Sequence, residues 1–446
     1  MYQFKKIQLI LILFFIASLL HCFAQTTKVL TLDEAIKAGV DNSKQLKISM
    51  SKANLASEKS KEYETDLYPS IKASAGYTRL SPVSPFTFEF PGSTTVYTFF
   101  PVYLNAYSSQ VSAIEPIYTG MRAKYTLESQ HYLEQAAKFD IDKDKTDVIF
   151  NIINAYLNIY KIKASEALID QNIDEIKQHV NETENYEKQG TAIHNDVLRV
   201  DLQLSNAEFT KLDLQNSYEA AIYDLGILLG MPEGSHIDID TNEVSLFSIK
   251  EIKSKEDYIK DAINNRGDVK AMESRNKASE TNVLVTKGAS LPQVNLGADY
   301  YLANPNQRLI PPDDIFKATW DAGIYLSYDI SSLYTNKHKI AQAKIQQEQT
   351  QDNYNLLLDN IKMEVNQSYT AYKESQQKID LSKKTIVQAD ENYRTMHSRY
   401  TNHIALLSDL LDANISLLQA KMNLALSTAD AEVAYYKLMK AIGNTK

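Results

Sequence analysis

The sequence predicts a mainly α-helical protein whose long helices form coiled coils, with four β-strands of membrane-spanning length. Three observations predict this class: the positions of the prolines, the spacing of apolar residues between them, and an internal duplication of the whole pattern. The chain has 446 residues and a formal net charge of −9, from 47 basic and 56 acidic residues. A nucleic-acid-binding protein needs a basic surface, so this composition argues against nucleic acid as a partner.

Residues 1–24 are predicted to be a secretory signal peptide. Lysines precede an apolar run of about 14 residues, which is shorter than the ~20 residues that a membrane-spanning helix needs. We expect cleavage after Ala24, and lipidation of Cys22 is the alternative, with His21 standing where a small residue is usual. Because Cys22 is the only cysteine, the mature chain is expected to have no disulfide and no cysteine-ligated metal.

Two long proline-free tracts are predicted to be helical. No proline lies between residues 117 and 231 or after residue 312, and proline would interrupt a helix. Apolar residues in both tracts alternate steps of three and four, the spacing of a coiled-coil seam. They include Val148, Ile152, Ala155, Ile159 and Ile162 in the first tract and Leu411, Ile415, Leu418, Met422 and Ala425 in the second. We therefore expect long helical hairpins over about 120–230 and about 332–443.

Four segments of ~10–12 residues are predicted to be strands, at about 69–80, 104–115, 292–302 and 319–330. Apolar residues alternate with small or polar ones in three of them, while 104–115 alternates poorly and is assigned by symmetry. The length suits tilted transmembrane strands, although alternation alone fits two hairpins of a soluble domain equally well. The aromatic segment 82–103 between the first two strands either extends them or folds over their ends.

The chain repeats its own plan. Tyr68-Pro69 matches Leu291-Pro292 at an offset of 223 residues, and Asp196 matches Asp409 at an offset of 213 residues. The changes in offset locate the deletions in loops, where they are tolerated best. We expect a first repeat over 25–235, a linker over 236–253, and a second repeat over 254–446.

This duplicated plan, with Gly190 followed by Asp196 and with the string Asp409-Leu410-Leu411-Asp412-Ala413, resembles TolC-like outer-membrane efflux proteins. The resemblance implies a homotrimer in the outer membrane of a Gram-negative bacterium. In it, four strands from each protomer close a 12-stranded β-barrel and the helices form a long periplasmic α-barrel. Independently, four strands cannot close a barrel and open edges are not tolerated in lipid, so oligomerisation is expected on physical grounds.

The resemblance also implies a function and partners. The chain would be a passive exit duct of a tripartite efflux pump or type I secretion system, gated at its periplasmic tip. Its partners would be outer-membrane lipid, a periplasmic adaptor protein, and an inner-membrane transporter of the RND or ABC class. We expect no enzymatic activity and no cofactor. The alternatives are the outer-membrane component of a dedicated metal-cation exporter and, from another class, a secreted coiled-coil structural or adhesion protein.

Candidate site residues lie at the predicted hairpin ends. Asp409 and Asp412 are three residues apart near the start of a helix, where acids also suit the helix dipole. The resemblance implies that they ring the periplasmic entrance. It also implies an entrance latch between Tyr400 and the position of Asp196. The family's latch arginine falls at Ala405 in this chain, so Arg399 is the candidate substitute. The predicted tips are Gly190, Thr191, Asn402 and His403, with His403 standing where the family usually has glycine.

No dedicated metal site is predicted. His397 and His403 are six residues apart and do not share a helical face, and His194 belongs to the other repeat. The sequence also lacks a phosphate loop, a Gly-x-Ser-x-Gly elbow and a His-Glu-x-x-His motif.

Overall fold

The computed structural model describes residues 28–232, 234–241 and 252–444, and the predicted signal peptide lies outside them. The mainly helical class with a smaller sheet component is confirmed. The strands are β1 (Lys28–Leu30), β2 (Ser70–Arg79), β3 (Phe86–Glu89), β4 (Val96–Phe100), β5 (Asn105–Tyr118), β6 (Ile237–Ile239), β7 (Gln293–Asn304) and β8 (Lys317–Ser327). The helices are α1 (Leu32–Asn42), α2 (Lys44–Thr65), α3 (Arg122–Lys188), α4 (His194–Leu228), α5 (Lys255–Asn265), α6 (Gly267–Gly288), α7 (Ser332–Thr401) and α8 (Leu407–Ala441).

The described chain divides into two compact units. One comprises the described residues within Met1–Ile48, Asp142–Gly267 and Leu358–Lys446, and the other comprises Ser49–Ile141 and Asp268–Leu357. Each is described by itself below.

The unit formed by Ser49–Ile141 and Asp268–Leu357 contains an antiparallel four-stranded sheet in the order β2-β5-β7-β8. The register pairs Ile71 with Ala113, Val111 with Tyr300, and Leu296 with Ile324. β5 runs on to Tyr118, beyond the predicted end at 115, and its pairing with β7 shifts between Pro116 and Tyr118 because proline has no N–H to donate to the ladder.

One face of this sheet exposes its apolar side chains. Along β8, Trp320 is 71% exposed and Ile324 is 75% exposed, and Ile71 on β2 is 72% exposed. On the other face of β8, Thr319, Asp321 and Gly323 are half-buried. The period-two pattern therefore separates an apolar face from a polar one, and the single chain leaves large side chains of the apolar face uncovered.

The aromatic segment between β2 and β5 forms its own hairpin, β3–β4. Its rings contact one another: Phe88 meets Phe90 edge-on at 4.9 Å between centroids, and Phe90 meets Tyr97 edge-on at 5.8 Å. Such edge-to-face pairs stabilise the hairpin although its residues are exposed.

In the other unit, β1 and β6 pair in parallel and pack with α1, α3 and α4 around one apolar core. Tyr156 on α3 is fully buried there, and its hydroxyl donates to a backbone carbonyl of Leu30 at 3.0 Å. Gly39 of α1 allows close packing here, because a Cβ added at this position would meet Cδ1 of Ile152 unless that side chain shifted. β6 falls inside the predicted linker 236–253, and residues 242–251 of that linker lie outside the described residues.

A second core in the same unit lies towards the ends of the long helices. Residues of α3, α4, α7 and α8 contribute to it, among them Ile173, Ile176, Val200, Tyr400 and Leu410. The predicted seam is buried in part, because Leu411 of α8 lies in this core whereas Ile415, the next predicted seam residue, is 47% exposed. The core brings the turn between α3 and α4 and the turn between α7 and α8 to the same end of this unit.

Candidate functional site at the ends of the helical hairpins

One turn joins the two helices of each hairpin, and the two turns have the same hydrogen-bond pattern. In the first, Gly190 has φ +74° and the N–H of Thr191 donates to the carbonyl of Tyr186 at 2.9 Å. In the second, His403 has φ +57° and the N–H of Ile404 donates to the carbonyl of Arg399 at 2.8 Å. Each helix therefore ends on a left-handed residue whose following amide satisfies a free carbonyl of the last turn.

The remaining predicted tip residues satisfy backbone groups in these turns. The hydroxyl of Thr191 donates to the carbonyl of Tyr186 at 3.1 Å, and the side-chain amide of Asn402 donates to the carbonyl of Ser398 at 2.7 Å. His403 occupies the left-handed position without being glycine, and its ring meets that of Tyr186 edge-on at 4.9 Å. This ring contact offsets part of the steric cost of a Cβ at positive φ.

Asp196 and Asp409 occupy equivalent places in the two repeats. Each carboxylate accepts a long hydrogen bond of 3.4 Å from the backbone N–H three residues earlier, on Ile193 and Leu406 respectively. This arrangement satisfies an otherwise free amide at the start of α4 or α8. Asp409 thus has a helix-capping contact within the chain.

Asp409 and Asp412 are both exposed on one side of the first turns of α8. No salt bridge joins either carboxylate to a described residue of the chain. Asp409 is exposed despite its capping contact, and Asp412 is exposed as well. The second hairpin therefore presents two acids where the first presents Asp196 and Arg199.

Tyr400 is buried, but its partner differs from the expected one. Its hydroxyl lies 3.2 Å from Oγ1 of Thr183 on α3, and the expected hydrogen bond to Asp196 is not formed among the described residues of this chain. Burial raises the pKa of Tyr400, the Thr183 contact lowers it, and the nearby carboxylate of Asp196 raises it further. The sequence gives no sign of the Thr183 contact, since it depends on how α3 and α7 are set against each other.

Arg399, the expected substitute for the latch arginine, is exposed on the last turn of α7. No salt bridge connects it to Asp196 in the part of the chain that the structure describes. Ala405, where the resemblance would place the family's arginine, is half-buried in the turn. Among the described residues, a side-chain hydrogen bond between Tyr400 and Thr183 joins the hairpins at this level, and the ring of Tyr186 on α3 also contacts the rings of Tyr400 and His403.

Buried polar side chains join α3 to α8 further from the tips. Asn172 donates to the side-chain oxygen of Asn414 at 2.7 Å, and Asn414 donates to Glu175 at 3.1 Å. Asn172 is 5% exposed and Asn414 is 1% exposed. Because an unpaired amide would be costly at such burial, these bonds specify which faces of α3 and α8 meet.

A further group of side chains between α3 and α7 was missed from the sequence. His179, which is buried, lies with its Nδ1 3.3 Å from Oε2 of Glu182 and its Nε2 3.1 Å from the hydroxyl of Tyr393. His397 brings its Nε2 within 3.8 Å of the same Glu182 oxygen. Burial lowers the pKa of His179, and the hydrogen bond to Glu182 partly opposes this effect. The one available signal was the spacing of three between His179 and Glu182, which places both on one helical face.

A family profile and several solved structures are similar to this chain. The profile of the family described as "Outer membrane efflux protein" matches residues 37–231 and 258–444, that is, both repeats. No individual curated protein matches the chain. Among solved structures, CusC has a TM-score of 0.80 at 16% identity, with 94% of each chain covered. The Campylobacter jejuni outer membrane channel CmeC has a TM-score of 0.76 at 16% identity, covering 93% of this chain and 86% of its own.

The Neisseria gonorrhoeae outer membrane channel MtrE, solved in its open state, has a TM-score of 0.74 at 17% identity, covering 93% of this chain and 89% of its own. The fold contains two long helical hairpins, and the family profile matches the segments that contain them. The chain belongs to the outer membrane efflux protein family, which confirms the resemblance drawn from the sequence. Membership supports a role as an efflux duct. No described helix combines the length and the hydropathy that a membrane-spanning helix requires.

Proposed function

We propose that this chain forms a passive, trimeric exit duct in the outer membrane of a Gram-negative bacterium. The observation that carries the proposal is the four-stranded sheet, whose outer strands β2 and β8 have no further neighbour in the described part of the chain and whose apolar face is exposed. Unpaired strand edges are not stable in lipid, so neighbouring copies would have to pair them. Three copies with four strands each would close a 12-stranded barrel, as the family implies.

The helical hairpins would extend the duct into the periplasm. Their apolar seams are buried within the chain, while polar residues such as Asp409 and Asp412 remain exposed at the tips. We propose that the tips form the periplasmic entrance, that the two aspartates line it, and that contacts between hairpins, including that of Tyr400 with Thr183, favour the closed state. Opening would require the hairpins to slide against one another.

The partners follow from this arrangement. A passive duct needs an energy-consuming transporter in the inner membrane, of the RND or ABC class, and a periplasmic adaptor to connect the two. The family profile over both repeats supports this assembly. Whether the duct serves a tripartite efflux pump or a type I secretion system depends on the transporter, because substrate selection would take place there.

The proposal can be tested on purified protein. We expect native mass spectrometry of the detergent-solubilised protein to give three times the mass of one mature chain. The same preparation should conduct ions in planar bilayers without any nucleotide or other energy source. A monodisperse monomer that still conducts ions would contradict the trimeric duct.

A further inference from the structure

Three side chains from two helices converge near the hairpin ends. His179 and Glu182 lie one turn apart on α3, and His397 lies on α7, four residues before the end of that helix. Each offers one donor atom, and the three atoms all lie within 4.8 Å of one another. His179 is 2% exposed, and the other two are half-buried, so the group is shielded on one side and open to solvent on the other.

The separations suit a tetrahedral metal ion. Two ligands that bind a tetrahedral ion at ~2.1 Å lie about 3.4 Å apart. The Nδ1 of His179 is 3.3 Å from Oε2 of Glu182, and the Nε2 of His397 is 3.8 Å from that oxygen. The donor atoms of the two histidines lie within 4.8 Å of each other, so binding an ion would draw the half-buried His397 ring towards His179 and Glu182.

Tyr393 supplies the outer contact that a metal-binding histidine usually has. Its hydroxyl lies 3.1 Å from Nε2 of His179, on the opposite side of the ring from Glu182. Without an ion, His179 donates from Nδ1 to the carboxylate and accepts at Nε2 from Tyr393, because a carboxylate can only accept. With the proton on Nε2 instead, His179 donates to the tyrosine oxygen and its Nδ1 lone pair is free to bind an ion.

An ordinary structural role explains only part of this group. A buried histidine satisfied by Glu182 and Tyr393 needs no third partner. The structure nevertheless places a second imidazole nitrogen, that of His397, against the same carboxylate oxygen, with the two histidine rings 5.5 Å apart between centroids. Two imidazoles and one carboxylate form the donor set that open zinc sites use, with water as the fourth ligand.

We propose that His179, Glu182 and His397 bind a zinc ion that joins the first helical hairpin to the second. The two histidines and the carboxylate are direct ligands, Tyr393 positions His179, and a water molecule completes the coordination. Because the ligands come from both α3 and α7, the bound ion stabilises the arrangement in which these helices lie side by side. Zinc binding is a property beyond the proposed duct function, and it does not depend on that function being correct.

The experiment measures zinc binding to the full detergent-solubilised protein, purified without a histidine tag and stripped of metal with EDTA. Competition with a chromophoric chelator is expected to give one zinc ion per chain, with a dissociation constant in the micromolar range or below. His397→Ala and Glu182→Gln should weaken binding at least about tenfold, and Tyr393→Phe by about 10- to 100-fold. Zinc should raise the Tm of the wild type but not that of His397→Ala.

His194→Ala is the matched control. His194 is also paired with a glutamate at the hairpin ends, with its Nδ1 3.0 Å from Oε1 of Glu187, but it belongs to no such three-donor group among the described residues. This variant should bind zinc like the wild type. Since the side chain of His397 is 38% exposed, its replacement should leave the fold intact. Equal zinc affinity in the wild type and His397→Ala, or well below one ion per chain in the wild type at 100 μM zinc, would overturn the site.

Discussion

The hydroxyl of Tyr400 lies 3.2 Å from Oγ1 of Thr183, and both side chains are buried where α7 passes α3. The expected partner, Asp196, instead accepts a hydrogen bond from its own helix start. Each hydroxyl would lose its side-chain partner if the two hairpins separated. We therefore regard this pair as one of the contacts that hold the two hairpins together at this level.

A double-mutant cycle can measure the contact. Tyr400→Phe and Thr183→Val should each lower the free energy of unfolding by about 0.5–1.5 kcal/mol, and their coupling should be about 1 kcal/mol because they remove the same hydrogen bond. Guanidinium unfolding in detergent at fixed protein concentration provides the measurement. Tyr186→Phe is the control, since the ring of Tyr186 meets that of Tyr400 at 5.9 Å but its hydroxyl makes no side-chain hydrogen bond with the described residues. Additive effects of the two substitutions would contradict the contact.

Substitutions at the two hairpin turns should change the stability in opposite directions: losing glycine in the first turn should lower it, and gaining glycine in the second should relieve strain. Gly190→Ala should cost about 1 kcal/mol from backbone strain alone, because a Cβ at Gly190, with φ +74°, would meet nothing within 4 Å. His403→Ala keeps the strain and loses the ring contact with Tyr186, whereas His403→Gly removes the strain. The glycine variant should therefore be more stable than the alanine variant by about 1 kcal/mol. If the two His403 variants unfold at the same denaturant concentration, the strain at this turn is not significant.

The contacts of Asp238 on β6 should make the free energy of unfolding depend on pH. Its carboxylate accepts from Lys163 at 2.6 Å, from Tyr218 at 2.9 Å and from the backbone N–H of Ile239 at 2.7 Å. Burial raises its pKa, but these hydrogen bonds together outweigh burial and hold the pKa below its usual 3.8. A lowered carboxyl pKa means that the stabilisation is present above the unfolded pKa and is lost as the pH falls through the folded pKa.

Asp238→Asn should accordingly lower the free energy of unfolding by about 1.5–3 kcal/mol at pH 7. The difference from the wild type should shrink when unfolding is measured at pH 3 and below. Asp170→Asn is the control, because its pair with Lys211 is exposed and should contribute at most about 1 kcal/mol. A pH-independent difference between Asp238→Asn and the wild type would contradict the stated origin of the effect.

The two faces of the sheet should differ in how well they tolerate a lysine substitution on β8. If the apolar face contacts lipid, Ile324→Lys should destabilise the inserted protein by about 2–4 kcal/mol and reduce the yield of trimer in the membrane fraction. Thr319→Lys changes the opposite face and should assemble like the wild type. Equal trimer yields from both variants would argue against lipid contact at Ile324.

The sequence predicted the elements well because strong local signals specify them. Absence of proline and a sustained seam spacing predict the long helices, and period-two alternation predicts three of the four sheet strands. β1 and β6 are three residues each and pair across the whole first repeat, so no local pattern indicates them. The same limit applies to the contacts at the hairpin ends. Thr183 with Tyr400 and His179 with His397 depend on the axial and rotational setting of α3 against α7, which a periodic pattern does not fix.

In the proposed duct, the residues at the hairpin tips make the entrance acidic. In a trimer, Asp409 and Asp412 would bring six carboxylates, two from each chain, around one axis. Two like charges ~6 Å apart repel by about 2.8 kcal/mol at an effective dielectric of ~20, so such a ring should attract counterions. Capping of α8 by Asp409 does not bury this side chain, which stays exposed.

A planar-bilayer recording with a trivalent cation added on the periplasmic side tests the gated duct most directly. We expect the wild-type channel to be cation-selective and blocked by the trivalent ion, since acidic rings bind multivalent cations in a pore. Asp409→Ala/Asp412→Ala, assembled as a trimer of wild-type stability, should conduct with the block abolished. Equal block of both proteins, or no channel activity from the wild-type trimer, would contradict an entrance lined by these two aspartates.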